Sequence, residues 1–236
     1  MKGASRVIVS SQLEARDALR FGVPQDRIRV IPMGIDLPKT ASPSAADAPL
    51  RLLFAGRIAR VRRVESILKA AARLPFDWTL TLAGGEATTS SMTRDGYVDE
   101  LKQLAAELNI DSKVRWTGPL PHESLMECYR DADLFLYTSQ YENFGQPLLE
   151  AAAHGLPLIS TRVGVANELI EEHRTGFFTD DSPETLARKI EQLAHREIRQ
   201  QFGYALRQKV AEHFSWETIT QQYLELYRDL TGGGGL

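Results

Sequence analysis

The sequence predicts an α/β fold, a parallel sheet with helices on both faces. Two observations carry this. From residue 51 onward, short apolar runs alternate with amphipathic stretches through most of the 236 residues, the pattern of strand–helix units. Glycines and polar residues also gather just after those runs: Gly56-Arg57, Gly84-Gly85, Thr117-Gly118, Ser139 through Gly145, and Thr161 through Gly164. Open α/β sheets bind ligands outside the carboxyl ends of their strands. One sheet edge is therefore expected to carry the site.

Taken in order, residues 5–10, 11–21 and 28–32 read as strand, helix and strand. The segment from Pro38 to Pro49 is rich in Pro, Ser and Ala and reads as a linker. Strands follow at 51–55, 78–83, 113–117, 133–138, 157–161 and 176–178, each a short apolar run closed by turn residues. Helices are expected at 62–73, 94–109, 122–130, 147–154, 165–171, 183–195, 199–213 and 216–230. Pro147 suits a first helical position, where its missing N–H costs nothing. Gly155 supplies the stop. The tail Gly232–Leu236 reads as disordered, and both ends read as cut.

Composition removes several function classes. Twenty-eight Lys and Arg against 31 Asp and Glu give a formal charge of −3, whereas nucleic-acid-binding domains are usually basic. A single cysteine, Cys128, excludes an intrachain disulfide and suits a reducing cytoplasm. It reads as a packing residue on a helix face. No apolar run is long enough to span a bilayer.

The segment Glu142-Asn143-Phe144-Gly145-Gln146-Pro147-Leu148-Leu149-Glu150 holds most of the chemistry. The N–H groups of Phe144, Gly145 and Gln146 are expected at a helix N-terminus, a ready phosphate site. The flanking carboxylates supply acceptors for hydroxyls, and the combination suits a sugar nucleotide. Glu150 is expected in the first helical turn, where the dipole also favours it. Arg57 and Arg62 follow a strand end and suit a diphosphate. There is no G-x-G-x-x-G or G-x-x-x-x-G-K-[ST], so neither a nicotinamide-type dinucleotide site nor a P-loop is indicated. Asp131-Ala132-Asp133 precedes a strand and so falls at the opposite edge, as a helix-end and strand-start pair. No His/Cys cluster has metal-ligand spacing. His122 is read as starting a helix and His154 as meeting a helix C-terminal dipole. Trp116 and Tyr137 are read as core.

The E-x7-E segment resembles that of the retaining GT-B glycosyltransferases called group 1 or family 4. Phe54-Ala55-Gly56-Arg57, Leu80 through Gly85, Val114 through Gly118, Leu156 through Thr161 and Thr175 through Phe178 resemble the family's segments in their usual order. Val30 through Asp36 resembles its interdomain segment and Phe214-Ser215-Trp216 a stretch near its end. Arg62 and Arg63 depart from the family's Lys-Gly pair. The similarity covers roughly residues 5 to 228.

The resemblance implies one Rossmann-like half of a GT-B fold. Residues 1–38 would be a remnant of the N-terminal domain and interdomain segment, 39–50 the linker and 51–213 the nucleotide-sugar-binding domain. Residues 214–231 would be a C-terminal crossover helix packed across, with 232–236 the tail. Ile219, Tyr223, Leu226 and Tyr227 of that helix are expected to fold back on the sheet or to make an oligomer contact. It implies catalytic roles for Glu142, Arg57 and Arg62, with Glu142 near the transferred sugar and Glu150 at the ribose. Contacts to the donor are expected from Gly56, Arg57, Arg62, Gly84, Gly118, Leu120, Glu142, Asn143, Phe144, Gly145, Gln146, Leu148 and Glu150, with the loop Thr117 through Pro121 at the base. The implied donor is a nucleoside-diphosphate sugar, UDP-linked by preference, with no cofactor and no metal. The acceptor, a sugar or lipid-linked glycan, would bind the absent domain. The implied location is cytoplasmic, compatible with peripheral contact at the inner membrane face. The alternative is a non-catalytic nucleotide-sugar-binding module.

Overall fold

The computed structural model describes residues 4–38, 49–86 and 96–231. Its centre is a six-stranded parallel sheet of order β5-β4-β3-β6-β7-β8. The strands are β3 (Leu50–Ala55), β4 (Trp78–Ala83), β5 (Val114–Gly118), β6 (Leu134–Tyr137), β7 (Leu158–Ser160) and β8 (Gly176–Phe178). The chain builds outward from β3 to β5, then returns to lay β6 on the other side of β3. Right-handed crossovers place helices on opposite faces for the two directions. The gap beyond the carboxyl ends of β3 and β6 is thus the switch point where doubly wound sheets take their ligands.

The helices are α1 (Gln12–Arg20), α2 (Val64–Ala71), α3 (Tyr97–Glu107), α4 (His122–Asp131), α5 (Gln146–Ala153), α6 (Ala166–Leu169), α7 (Pro183–Gln192), α8 (Arg196–His213) and α9 (Trp216–Thr231). Helix α2 packs on α3 and α7, and α5 packs on α6 and α8. The central strands are buried on both faces: Leu52, Leu53, Phe54, Leu80, Leu82 and all of Leu134–Tyr137 are nearly inaccessible. Continuous apolar burial of this kind is characteristic of parallel strands between helices.

Several boundaries differ from the sequence reading. The helix expected at 62–73 is split into a 3-10 turn at Arg60–Arg62 and α2 from Val64. Arg63 between them has φ 51 and ψ 42, the left-handed region that disfavours a side chain. The family pattern has glycine there, which takes this conformation without strain. Helix α5 begins at Gln146 behind a left-handed Gly145. Pro147 is therefore its second residue, still within the turn whose N–H groups have no partner inside the helix. Glu150 falls in the second turn, not the first. The long helices expected at 183–195 and 199–213 share out differently because α7 stops at Gln192 and α8 starts at Arg196. The helix expected at 165–171 shortens to α6. The expected start of α3, most of the linker and the tail lie outside the described residues.

Residues before the linker form a small unit of their own. Strands β1 (Val7–Val9) and β2 (Ile28–Val30) pair in parallel, and Val9, Ala15, Val23 and Ile28 make its core. The C-terminal helix does not fold back on the main sheet. Ile219 and Leu226 of α9 are buried against Ile31, with Tyr223 half-buried beside them. Tyr227 stays exposed. The Ile35 N–H donates to the Phe214 carbonyl at 2.9 Å and pins the segment after β2 to the start of α9.

Candidate functional site

At the switch point the backbones after β3 and β4 nearly touch. A Cβ on Gly84 would lie 1.9 Å from the Gly56 carbonyl oxygen, so this turn requires glycine. Gly56, Gly84, Gly118 and Gly145 all have positive φ. The Gly56 N–H donates to Ala83 O at 2.9 Å, and the Gly84 N–H to Gly118 O at 3.1 Å. Three strand ends are thereby fixed to one another by backbone alone.

The turn after β3 is equally tied to the loop after β6. The Gln140 N–H donates to Val61 O at 2.8 Å. The buried Thr138 hydroxyl donates to Arg62 O at 2.8 Å. Arg62 is itself buried; its Nη1 donates to Ser139 Oγ at 3.0 Å and lies 2.5 Å from Glu142 Oε2. The Tyr137 hydroxyl donates to the same oxygen at 2.8 Å. Glu142 Oε1 accepts the Asn143 N–H at 3.1 Å. The structure therefore joins the two residues that the sequence assigned to diphosphate and sugar. Arg57, by contrast, is exposed, and no hydrogen bond or ion pair to it occurs among the described residues.

Glu150 faces inward from α5. The Tyr129 hydroxyl donates to its Oε2 at 2.8 Å. Burial pushes its pKa up, opposed by the bond from Tyr129, the charge of His122 and the Gln146 amide. Between the carboxylates, the N–H groups of Phe144, Gly145 and Gln146 reach no acceptor among the described residues. They remain available at the α5 N-terminus, as an anion site needs. The loop is held from outside: Phe144 O accepts the Val165 N–H at 2.6 Å, and the buried Ser11 hydroxyl donates to Asn143 O at 2.7 Å. The Gln12 N–H donates to Glu168 at 2.8 Å.

Leu148 is fully buried, and its N–H donates to Gly145 O at 2.9 Å. The structure thus makes it a packing residue rather than a surface contact. Leu120 is half-buried and lines a cavity of about 300 Å³ with Trp116, Thr117 and Ser124. Asp133 accepts from Arg51 Nε and Nη2 at 2.9 Å each. Burial alone would raise the Asp133 pKa, but the Arg51 bonds and charge bring it below the ordinary value. The Asp-x-Asp sequence is thus an ion-paired strand start at the far edge. Cys128 is buried on α4, as read. Among the described residues no cluster of three or more His, Cys, Asp or Glu is placed to hold a metal. His122 does begin α4. His154 caps α5, but burial lowers its pKa, so desolvation outweighs the attraction of the helix terminus. Its Nδ1 lies 2.8 Å from Glu150 O.

Sequence reasoning missed Tyr129, Ser139 and Ser11, and read Tyr137 only as core. Tyr137 is core by its ring, yet its hydroxyl reaches Glu142. The available signal was chemical: a phenol in a buried element needs a hydrogen-bond partner.

The sheet order, switch-point glycines and paired carboxylates define a Rossmann-like domain of the GT-B glycosyltransferase class. The model of the family "Glycosyl transferases group 1" matches residues 39–209, and the chain belongs to that family. It is 30% identical over 245 residues to D-inositol 3-phosphate glycosyltransferase of Corynebacterium urealyticum, covering 96% of this chain and 57% of that protein. The corresponding enzyme of Acidothermus cellulolyticus is 28% identical, with coverage of 96% and 53%. The chain thus spans about half the length of the curated relatives it matches. Among solved structures, sucrose-phosphate synthase from Thermosynechococcus elongatus superposes with TM-score 0.84 at 29% identity, over 98% of this chain and 60% of that one. Anabaena Alr3699/HepE, solved in complex with UDP and glucose, superposes with TM-score 0.83 at 24% identity, over 96% and 64%.

Proposed function

We propose that this chain binds a nucleoside-diphosphate sugar for a retaining glycosyl transfer. The observation that carries the reading is one sheet edge holding two inward carboxylates, with N–H groups at the α5 N-terminus and an Arg57 guanidinium that have no partner among the described residues. The N–H groups and Arg57 suit the diphosphate, Glu150 the ribose hydroxyls and Glu142 the transferred hexose. Stabilising the departing diphosphate by fixed donors is the main catalytic contribution. UDP is the proposed carrier, as in the Anabaena protein's complex. Transfer to an acceptor sugar or lipid-linked glycan would need a second domain to position the acceptor hydroxyl, so these residues alone should not transfer efficiently. The proposed setting is the cytoplasm, with peripheral membrane contact by the whole protein. Among the described residues no helix is long and apolar enough to cross a membrane.

The test is calorimetric titration with UDP, GDP and ADP, each free and as its glucose conjugate. Glu150→Gln should weaken free diphosphate and conjugate alike, because both carry the ribose. Glu142→Gln should reduce only the extra affinity given by the sugar. Absence of binding by every ligand, or equal effects of both substitutions on free diphosphate, would refute the reading.

A further inference from the structure

Each of the two glutamates is held from behind by its own buried tyrosine. Tyr129 sits on α4 and Tyr137 at the end of β6, and both are essentially inaccessible to solvent. Their hydroxyls donate to Glu150 Oε2 and Glu142 Oε2, each at 2.8 Å. The rings have little freedom to move. Phe135 lies between them, with centroids 5.8 Å from Tyr129 and 6.1 Å from Tyr137. Tyr129 also stacks on His154 at 5.4 Å and Tyr137 on Phe54 at 5.9 Å. The Arg62 guanidinium lies over the Tyr137 ring, 5.4 Å from its centroid. Two donors are thus fixed by the aromatic core at the inner sides of two acceptor-only groups.

A carboxylate has about four acceptor directions. A phenol clamped in the core occupies one of them and restrains the oxygen it meets. At Glu142 the Arg62 guanidinium and the Asn143 N–H add to this restraint, and the directions left to a ligand are narrowed accordingly. Burial pushes both phenol pKa values upward, so both hydroxyls keep their protons at neutral pH.

We propose that Tyr129 and Tyr137 are positioning residues, with Tyr129 aiming Glu150 at the ribose and Tyr137 aiming Glu142 at the transferred sugar. This rests on the donor-binding reading above. The rival account is that each phenol merely satisfies its own burial. The two accounts differ in what ligand binding should show. A purely structural tyrosine would weaken binding in step with stability, whether or not its glutamate is present. Positioning tyrosines would act only through their own glutamates, Tyr129 on every ligand with a ribose and Tyr137 on the sugar increment alone.

The experiment titrates wild type, Tyr129→Phe and Tyr137→Phe with UDP, GDP and ADP, each free and as its glucose conjugate, and records a thermal melt of each variant. Phenylalanine keeps the ring volume, so packing is retained. Tyr129→Phe should weaken free diphosphate and conjugate equally, on the order of tenfold, the scale of one hydrogen bond to a charged group. Tyr137→Phe should leave free diphosphate within about twofold and lower the conjugate-to-diphosphate affinity ratio by about three- to tenfold. Each effect should vanish in the background of its own glutamate: Tyr129→Phe/Glu150→Gln should bind like Glu150→Gln, and Tyr137→Phe/Glu142→Gln like Glu142→Gln. These double variants also relieve the charge left without its donor, and so remain informative where a single variant does not fold. Wild type that binds no ligand of the set overturns both this proposal and the donor-binding reading. Wild type that binds with a sugar increment overturns the positioning role alone if Tyr137→Phe leaves the conjugate-to-diphosphate ratio unchanged, or if Tyr129→Phe matches wild type or weakens binding as much in the Glu150→Gln background as alone.

Discussion

The Arg62 guanidinium meets the Glu142 carboxylate at 2.5 Å, with the two side chains only 10% and 19% exposed. This contact ties the turn after β3 to the loop after β6 across the switch point. Removing one partner of such a pair leaves a charge with reduced compensation. Arg62→Ala should therefore lower stability by about 1–3 kcal/mol, below the range for fully buried pairs because Glu142 keeps its bonds from Tyr137 and Asn143. Arg62→Lys should lose less, since it keeps the charge. Urea denaturation of the three proteins decides it, and equal midpoints would show that the pair contributes nothing.

Arg57 has no hydrogen-bond or ion-pair partner among the described residues at the same edge and should meet the phosphates. Arg57→Ala should weaken binding of the nucleoside diphosphate by about 1.5–3 kcal/mol while leaving the bare nucleoside unchanged. Competitive titration with both ligands checks this. Equal losses would remove Arg57 from the phosphate site.

Glu150 should trade stability for binding. Its folded pKa is raised, chiefly by burial. A raised carboxylate gives a contribution that is fully present below the unfolded pKa of about 4.3 and lost as pH rises through the folded pKa. At pH 7 the ionised group is therefore a cost. Glu150→Gln keeps an acceptor for Tyr129 and should melt higher than wild type at pH 7, with the gain disappearing below about pH 4. Its ribose affinity should fall over the same neutral range. Melting curves at pH 4 and 7 test the sign, and a lower melting temperature for the variant at pH 7 would contradict it.

The docking of α9 depends on a close approach. A Cβ on Gly34 would lie 2.5 Å from Trp216 Cδ2. Gly34→Ala should destabilise by about 1–3 kcal/mol, the usual cost of overpacking. Gly34→Ala/Trp216→Leu should recover part of that loss. Chemical denaturation of both variants measures it; additive losses would mean that the indole is not the obstacle.

Donor binding should not depend on a divalent metal. The proposed phosphate ligands are Arg57 and backbone N–H groups, and among the described residues no carboxylate cluster stands ready for a cation. Titration of UDP-glucose before and after EDTA treatment should give the same affinity within about twofold. Loss of binding on chelation would call for a different site.

Much of this molecule was legible in its residues. Apolar runs marked the six strands of the main sheet, because a parallel strand buried on both faces leaves a continuous signal. Residues that follow those runs lie at one edge, because every strand of a parallel sheet points the same way. That placed Arg57, Glu142 and the α5 N-terminus together with no knowledge of packing. The Asp131-Ala132-Asp133 segment was correctly assigned to the other edge by the same rule.

The sequence by itself determined the sheet, its ligand-facing edge and the types of group found there. Only the tertiary structure decided what each group does with its neighbours. Tyr129 is 21 residues from Glu150, and Thr138 is 76 from Arg62, so neither pairing leaves a local periodicity. Arg62 looked like a free cation beside Arg57, yet folding gave it a carboxylate, while Arg57 has no such partner among the described residues. Helix α9 carries apolar residues that suited several partners, and Ile31 became theirs through the turn at Gly34 and Trp216. Periodicity reports which face of an element is buried. Hydrogen-bond partners depend on where two elements cross, which is set by packing the whole core at once.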